Sequence, residues 1–157
     1  MDAIALRPLR QGERKPVLDV FAGLSERSRR LRFLGSKPRL PERDVDWLVD
    51  VGCCGREAVV ATDETTGRTV GLARFVRDAD APEAEIAFEV VDEWQGRGVG
   101  RQLLGELRTL ALQQGILRFR ALIAHGNRPA FALVHSVGEE LHRAYEDGAV
   151  ELVVRLV

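Results

Sequence analysis

Residues 90 to 101 read Val-Val-Asp-Glu-Trp-Gln-Gly-Arg-Gly-Val-Gly-Arg: an apolar run stops, glycines follow at 96, 98 and 100, and an amphipathic run begins. That pattern describes a strand entering a helix through a glycine loop. The first N–H groups of a helix lack internal acceptors and lie at the positive end of the helix dipole, while glycine lets a backbone approach a ligand closely. The chemistry offered is phosphate binding. Two familiar phosphate loops fail here: the dinucleotide fingerprint needs glycine where Arg101 stands, and the P-loop needs a Gly-Lys-Ser/Thr ending that never occurs. Just upstream, two-residue alternation puts Glu85, Ala87 and Glu89 on one strand face and Ile86, Phe88 and Val90 on the other. A central strand is expected to be apolar on both faces. Either the acidic face meets solvent or an arginine such as Arg74 or Arg77, or it lines a reaction cleft beside the phosphate loop.

The elements that must position these groups follow from periodicity. Ile4 and Leu6 suggest a first strand. Val17, Val20, Phe21 and Leu24 mark a helix over about 13–24, and Ser25 to Leu34 a short second helix with Leu31 and Leu34 inward, ended by Gly35. Pro41 can open a third helix carrying Val45, Leu48 and Val49. Two strands around 58–61 and 70–76 flank a turn at 63–67, and a strand over 85–91 follows. Val99, Leu103, Leu107, Leu110 and Ala111 define the best helix, reaching about Gly115. A strand at 119–124, a helix at 129–137 and a hairpin turning at Asp147-Gly148 complete the order β-α-α(-α)-β-β-β-α-β-α-β-β.

The 157 residues, 45% of them hydrophobic, suit one domain, 1–157, with one core. A net charge of -1 provides no general attraction for nucleic acid, although Arg27, Arg29, Arg30 and Arg32 form a local cluster, for which a solvated helix face is the simplest role. The start, Met1 to Ile4, lacks a leader pattern and no apolar run reaches spanning length, so a cytoplasmic protein without membrane partners is expected. Cys53 and Cys54 are adjacent and have no metal-ligand spacing to His125, His135 or His142; free thiols and no metal are expected.

Gln95, Gly98 and Gly100 meet a Q/R-x-x-G-x-G/A signature, and with the element order the chain resembles the GNAT superfamily of acyl-CoA-dependent N-acetyltransferases. The resemblance implies an α/β fold with a mixed, mostly antiparallel sheet of about six or seven strands flanked by about four or five helices. It implies acetyl-CoA as acyl donor, its pyrophosphate cradled by Gln95, Gly96, Arg97, Gly98, Val99, Gly100 and Arg101. Backbone groups of Phe88, Val90 and Val91 would meet the pantetheine arm, and Asn127, in Asn-Arg-Pro-Ala, would be a cofactor-side contact or simply a helix N-cap.

The segment Ala84-Glu85-Ile86-Ala87-Phe88 is similar to the family's general-base segment, which makes Glu85 the catalytic base and Glu89 its alternative. Amine attack on a thioester needs a neutral amine, and a buried carboxylate is suited to accept the proton. The family's general-acid tyrosine position holds Val134; His135 and Tyr145 are the other candidates, and a thiol of pKa about 8.5 can leave unaided. Segments at 4–10, 24–35 and 71–78 resemble bacterial Pat-type protein lysine acetyltransferases, implying a protein lysine as amine acceptor. A small-molecule amine, a non-catalytic acyl-CoA sensor and a homodimer stay open.

Overall fold

A computed structural model of the chain describes residues 3–157; Met1 and Asp2, part of the segment searched for a leader pattern, lie outside them. Seven strands run β1 (Ile4–Pro8), β2 (Arg56–Asp63), β3 (Thr69–Arg77), β4 (Glu83–Val90), β5 (Arg118–Ala124), β6 (Gly138–Glu146) and β7 (Ala149–Leu156). Five helices, α1 (Arg14–Ala22), α2 (Glu26–Phe33), α3 (Glu42–Leu48), α4 (Val99–Gln113) and α5 (Arg128–His135), interleave with them in the expected order. One sheet has the order β1-β2-β3-β4-β5-β7-β6, antiparallel throughout except for the parallel pair β4/β5. Parallel pairing requires a crossover, and α4 supplies it.

The amphipathic stripe of α4 sends Val99 and Leu103 against Gly71, where an added Cβ would stand 2.8 Å from Leu103 Cδ1. Leu103, Leu104 and Leu107 are fully buried, and Phe75 and Phe119 pack with ring centroids 6.4 Å apart. The opposite sheet face carries α3, whose Trp47 covers Arg74, and α2, whose Arg32 reaches Glu89; α1 packs against α3 and β3.

Several boundaries move for local reasons. The strand expected to reach Val91 ends at Val90, because the Val91 carbonyl accepts from Trp94 N–H and opens a short 3₁₀ turn over Asp92–Trp94. Leu34 is not inward: it ends α2 in the left-handed conformation, φ 59°, and is 42% exposed. The arginine cluster is not a solvated face either. Arg29 stacks 3.9 Å from the Phe21 ring centroid and donates to the carbonyls of Phe21 and Pro38, Arg32 is inward, and only Arg30 forms an exposed (i, i+4) pair, with Glu26. Cys53 and Cys54 are exposed free thiols, and no helix among the described residues is long and apolar enough to cross a membrane.

The first strand is tied to the first helix by Arg7, which donates to both carboxylate oxygens of Glu13 at 2.8 and 2.5 Å. The Arg7 hydrogen bonds outweigh partial burial and hold the Glu13 carboxyl at about 2. A carboxyl depressed by folding stabilises the native state above its unfolded value and loses that contribution as pH falls towards the folded one. Arg7→Met is therefore expected to cost about 1 kcal/mol near neutral pH. Urea unfolding across pH 2 to 7 should show this loss shrinking as Glu13 protonates; a loss independent of pH would assign it to packing alone.

Candidate active site

The register of β4 places the site. It pairs β5 only from Glu83 with Arg118 to Ile86 with Ala121, whereas β5 continues along β7 to Ala124. Beyond Ile86 the two parallel strands diverge, and the β5-facing edge of β4 has no strand partner among the described residues. Backbone N–H and C=O groups need partners, so such an edge can receive a ligand that supplies them. The divergence opens a cleft of about 740 Å³. Phe88 and Val90 line one wall, Ala121 and Ile123 the other, and the glycine loop closes one end.

In that loop Gly96 and Gly98 have φ of 76° and 85°, and space around an added Cβ at either is open within 4 Å. Both the turn and the close approach therefore favour glycine. Gly98 caps α4 without a side-chain acceptor, leaving the first-turn N–H groups of Val99, Gly100 and Arg101 without helical acceptors. Gly100 has a different role: an added Cβ would lie 2.8 Å from Leu133 Cδ1, so its smallness lets α4 and α5 approach. Gln95 donates through Nε2 to the Val90 carbonyl at 2.9 Å and to Ser28 Oγ at 3.3 Å, bracing the loop against β4 and α2. Asp92 adds a second brace by accepting from Ser25 N–H at 2.9 Å. Burial alone would raise the Asp92 carboxyl, but Ser25 N–H and the hydroxyls of Ser25 and Ser28 outweigh it and hold it below its usual range.

Two loop-side candidates stand apart. Val91 is buried, its N–H donates to the Val70 carbonyl at 2.9 Å and its carbonyl is taken by Trp94, so its backbone is committed within the chain. Arg97 stacks on Trp94, 4.7 Å from the ring centroid, and lies outside the cleft wall. Asn127 lines the cleft and is also the N-cap of α5, accepting from Ala130 N–H at 3.4 Å; its amide nitrogen is the group left for a ligand.

Both carboxylates of β4 face α2 and α3, but their partners are not the expected Arg74 or Arg77. Glu85 accepts from Arg120 at 3.1 Å, and Glu89 from Arg32 Nε at 2.5 Å. Arg77 instead donates to the carbonyls of Ala81 and Gln114. The Glu85 side chain is 58% exposed, not buried as expected, whereas Glu89 is 11% exposed. The reason is coverage: α2 lies over the Glu89 end of the strand, and Glu85 stands where α2 no longer reaches. Glu85 joins the main cleft to a second cavity of about 200 Å³ bounded by Trp47, Arg74 and Val76.

None of the general-acid candidates lines the cleft. Val134 is fully buried, His135 pairs with Glu140 at 2.9 Å, and Tyr145 is 69% exposed on β6. Sequence reasoning missed Trp47 and Arg120 as site residues and named Arg74 only as a partner for the carboxylates of that strand. The one available signal was register: Arg74 lies opposite Ala87, and Arg120 opposite Glu85, so both share the acidic face of β4.

A model of the Acetyltransferase (GNAT) family matches residues 25–138. Acetyltransferase Pat of Mycolicibacterium smegmatis is 32% identical over 135 residues, covering 85% of this chain and 40% of that protein. Acetyltransferase PA5475 of Pseudomonas aeruginosa is 27% identical over 137 residues, covering 86% of this chain and 74% of that protein. The crystal structure of the GNAT domain of S. lividans PAT superposes with a TM-score of 0.85 at 28% identity, covering 99% of this chain and 97% of that one. The chain thus spans less than half the length of the M. smegmatis protein.

The two kinds of glycine should separate by experiment. Gly98→Ala is expected to lose about 1–2 kcal/mol through its left-handed backbone, and Gly100→Ala a similar amount through the Leu133 contact. In double-mutant cycles with Leu133→Ala, read by denaturant unfolding, only Gly100→Ala should show coupling, of about 1 kcal/mol. Equal coupling at both positions would contradict the assignment.

Proposed function

The chain belongs to the GNAT acetyltransferase family, and on that premise we propose that it transfers acetyl from acetyl-CoA to a primary amine, with a protein lysine as preferred acceptor. The observation that carries this reading is the edge of β4 without a strand partner, which runs from just beyond Ile86 towards the uncapped start of α4. A pantetheine arm is an extended chain with amide donors and acceptors, and the edge offers it the backbone groups of Phe88 and the N–H of Val90, whose carbonyl already accepts from Gln95. At the loop end, Gly96, Gly98 and the first-turn N–H groups of Val99, Gly100 and Arg101 suit a pyrophosphate. Gln95 and Arg97 contribute by holding the loop's shape, and Asn127 offers its amide from the facing wall. Val91 drops out of the proposed contacts because both its backbone groups are already used.

The acceptor enters on the Glu85 side. Its amine attacks the thioester carbonyl, its proton passes to Glu85, and the carbon–sulfur bond breaks to release CoA. Because Glu85 is exposed, a water can relay the proton, and Arg120 keeps the carboxylate oriented. A β4 N–H near Val90 donates to the developing oxyanion in this reading. With Val134 buried and no tyrosine, histidine, cysteine or lysine in the cleft wall among the described residues, the sulfur leaves without a dedicated acid. The lysine preference rests on likeness to Acetyltransferase Pat.

Glu85→Gln is expected to lower turnover about a hundredfold near pH 7 while leaving the Kd for CoA within a factor of about two. Activity should partly return at high pH, where the amine deprotonates in solution. Thiol release measured against a lysine-bearing protein checks this; unchanged turnover would move the base to Glu89.

A further inference from the structure

Among the described arginines carried by strands on the acceptor side of the sheet, Arg74 is the one without an ion pair. Arg32 pairs with Glu89 at 2.5 Å, Arg56 with Asp50 at 3.3 Å, Arg120 with Glu85 at 3.1 Å and Arg118 with Glu83 at 3.5 Å. Arg74 sits among them on β3 and has no ion pair or hydrogen bond among the described residues. Its Nε is buried without a partner. The guanidinium carbon lies 4.3 Å from the Trp47 ring centroid, which Arg56 also approaches to 4.2 Å, and Arg74 forms part of the wall of both the main cleft and the smaller cavity. Burial, with repulsion from Arg32 and Arg56, outweighs the attraction of Glu89 and Glu85 and pushes it down to about 10, so Arg74 is a cation near neutral pH without a hydrogen-bonded counter-ion.

A buried donor without an acceptor is costly unless something supplies one. The cation–π contact with Trp47 holds the guanidinium at the cleft wall, and its fork matches a planar carboxylate. We infer that Arg74 is a specificity-determining residue that receives a carboxylate of the acceptor, so that the acceptor presents its amine to Glu85 and an anionic group to Arg74. This rests on the acetyl-transfer reading for the amine, but not for the anion. It selects acceptors in which a carboxylate lies close to the amine: a free amino acid, or a protein lysine flanked by an acidic side chain. Polyamines are disfavoured, since they would bring positive charge against Arg74.

Two measurements test it on the intact chain. In the first, acetylation is followed with paired acceptors: lysine peptides bearing glutamate or glutamine beside the lysine, and amino acids against their carboxamides. The wild-type protein should favour the carboxylate member of at least one pair by tenfold or more in kcat/KM, mainly through KM; whichever pair shows it identifies the source. Arg74→Gln should abolish that preference and Arg74→Lys should recover part of it. Equal use of both members by the wild-type protein, or a preference that survives Arg74→Gln, overturns the inference. In the second, the ¹⁵N resonance of Arg74 Nε is followed while glutarate and the Nε-acetylated glutamate peptide are titrated in, which requires neither turnover nor a variant. A saturable shift supports the anion site even if no acceptor is acetylated, in which case the transfer reading alone fails. No shift with either ligand overturns the anion site whatever the activity.

Discussion

The structure depends on an incomplete strand pairing. Strands β4 and β5 are the only parallel neighbours in the sheet, and they share four residue pairs before separating. Each is held firmly on its other side: β4 by β3 over seven pairs, β5 by β7 over seven. Neither strand can therefore move to close the gap without breaking an antiparallel ladder. The cleft is a consequence of two rigid half-sheets joined over a short seam, with the glycine loop and the start of α4 set at the open end. Its shape needs no loop closure or ligand-driven folding to exist.

The same seam explains the division of labour between the two faces of β4. Ile86 and Phe88 turn towards the α4 side, where Phe75, Phe119 and Leu103 fill the core. Glu85 and Glu89 turn towards α2 and α3, where arginines replace hydrophobic side chains as neighbours. Partly buried ion pairs of this kind contribute little net stability, because desolvation offsets much of their attraction. Their value lies in fixing where each carboxylate points.

Much of this was readable from the residues. The order of elements followed from hydrophobic period and from Gly and Pro punctuation, since those signals are local. The glycine turn at residues 96–98 and the helix start that follows it were equally local, because left-handed glycines before an amphipathic run impose that geometry wherever they fall. What the chain did not disclose were contacts between distant segments. Arg120 lies thirty-five residues from Glu85 and Arg32 fifty-seven from Glu89, so no spacing rule links them. Trp47 looked like one more residue of a short helix until α3 was laid over β3. The inward turn of Arg29 and Arg32 was hidden for the same reason: a run of arginines carries no period that distinguishes a solvated side from a buried one. Leu34 failed the other way, its apolar type suggesting burial while the end of α2 forced it outward.

Helix α2 has no fully buried residue, yet it forms one wall of the cleft. It is held there largely by polar links to the region around the glycine loop: Ser25 to Asp92, Ser28 to Gln95 and Arg32 to Glu89. The Arg32–Glu89 ion pair responds to ionic strength, and the Ser25–Asp92 bond to protonation of Asp92, more than a hydrophobic core does. The wall can thus loosen by local unfolding while the sheet and α4 stay intact, at a free-energy cost below that of global unfolding. Access to the cleft is thereby tied to solution conditions separately from the stability of the fold.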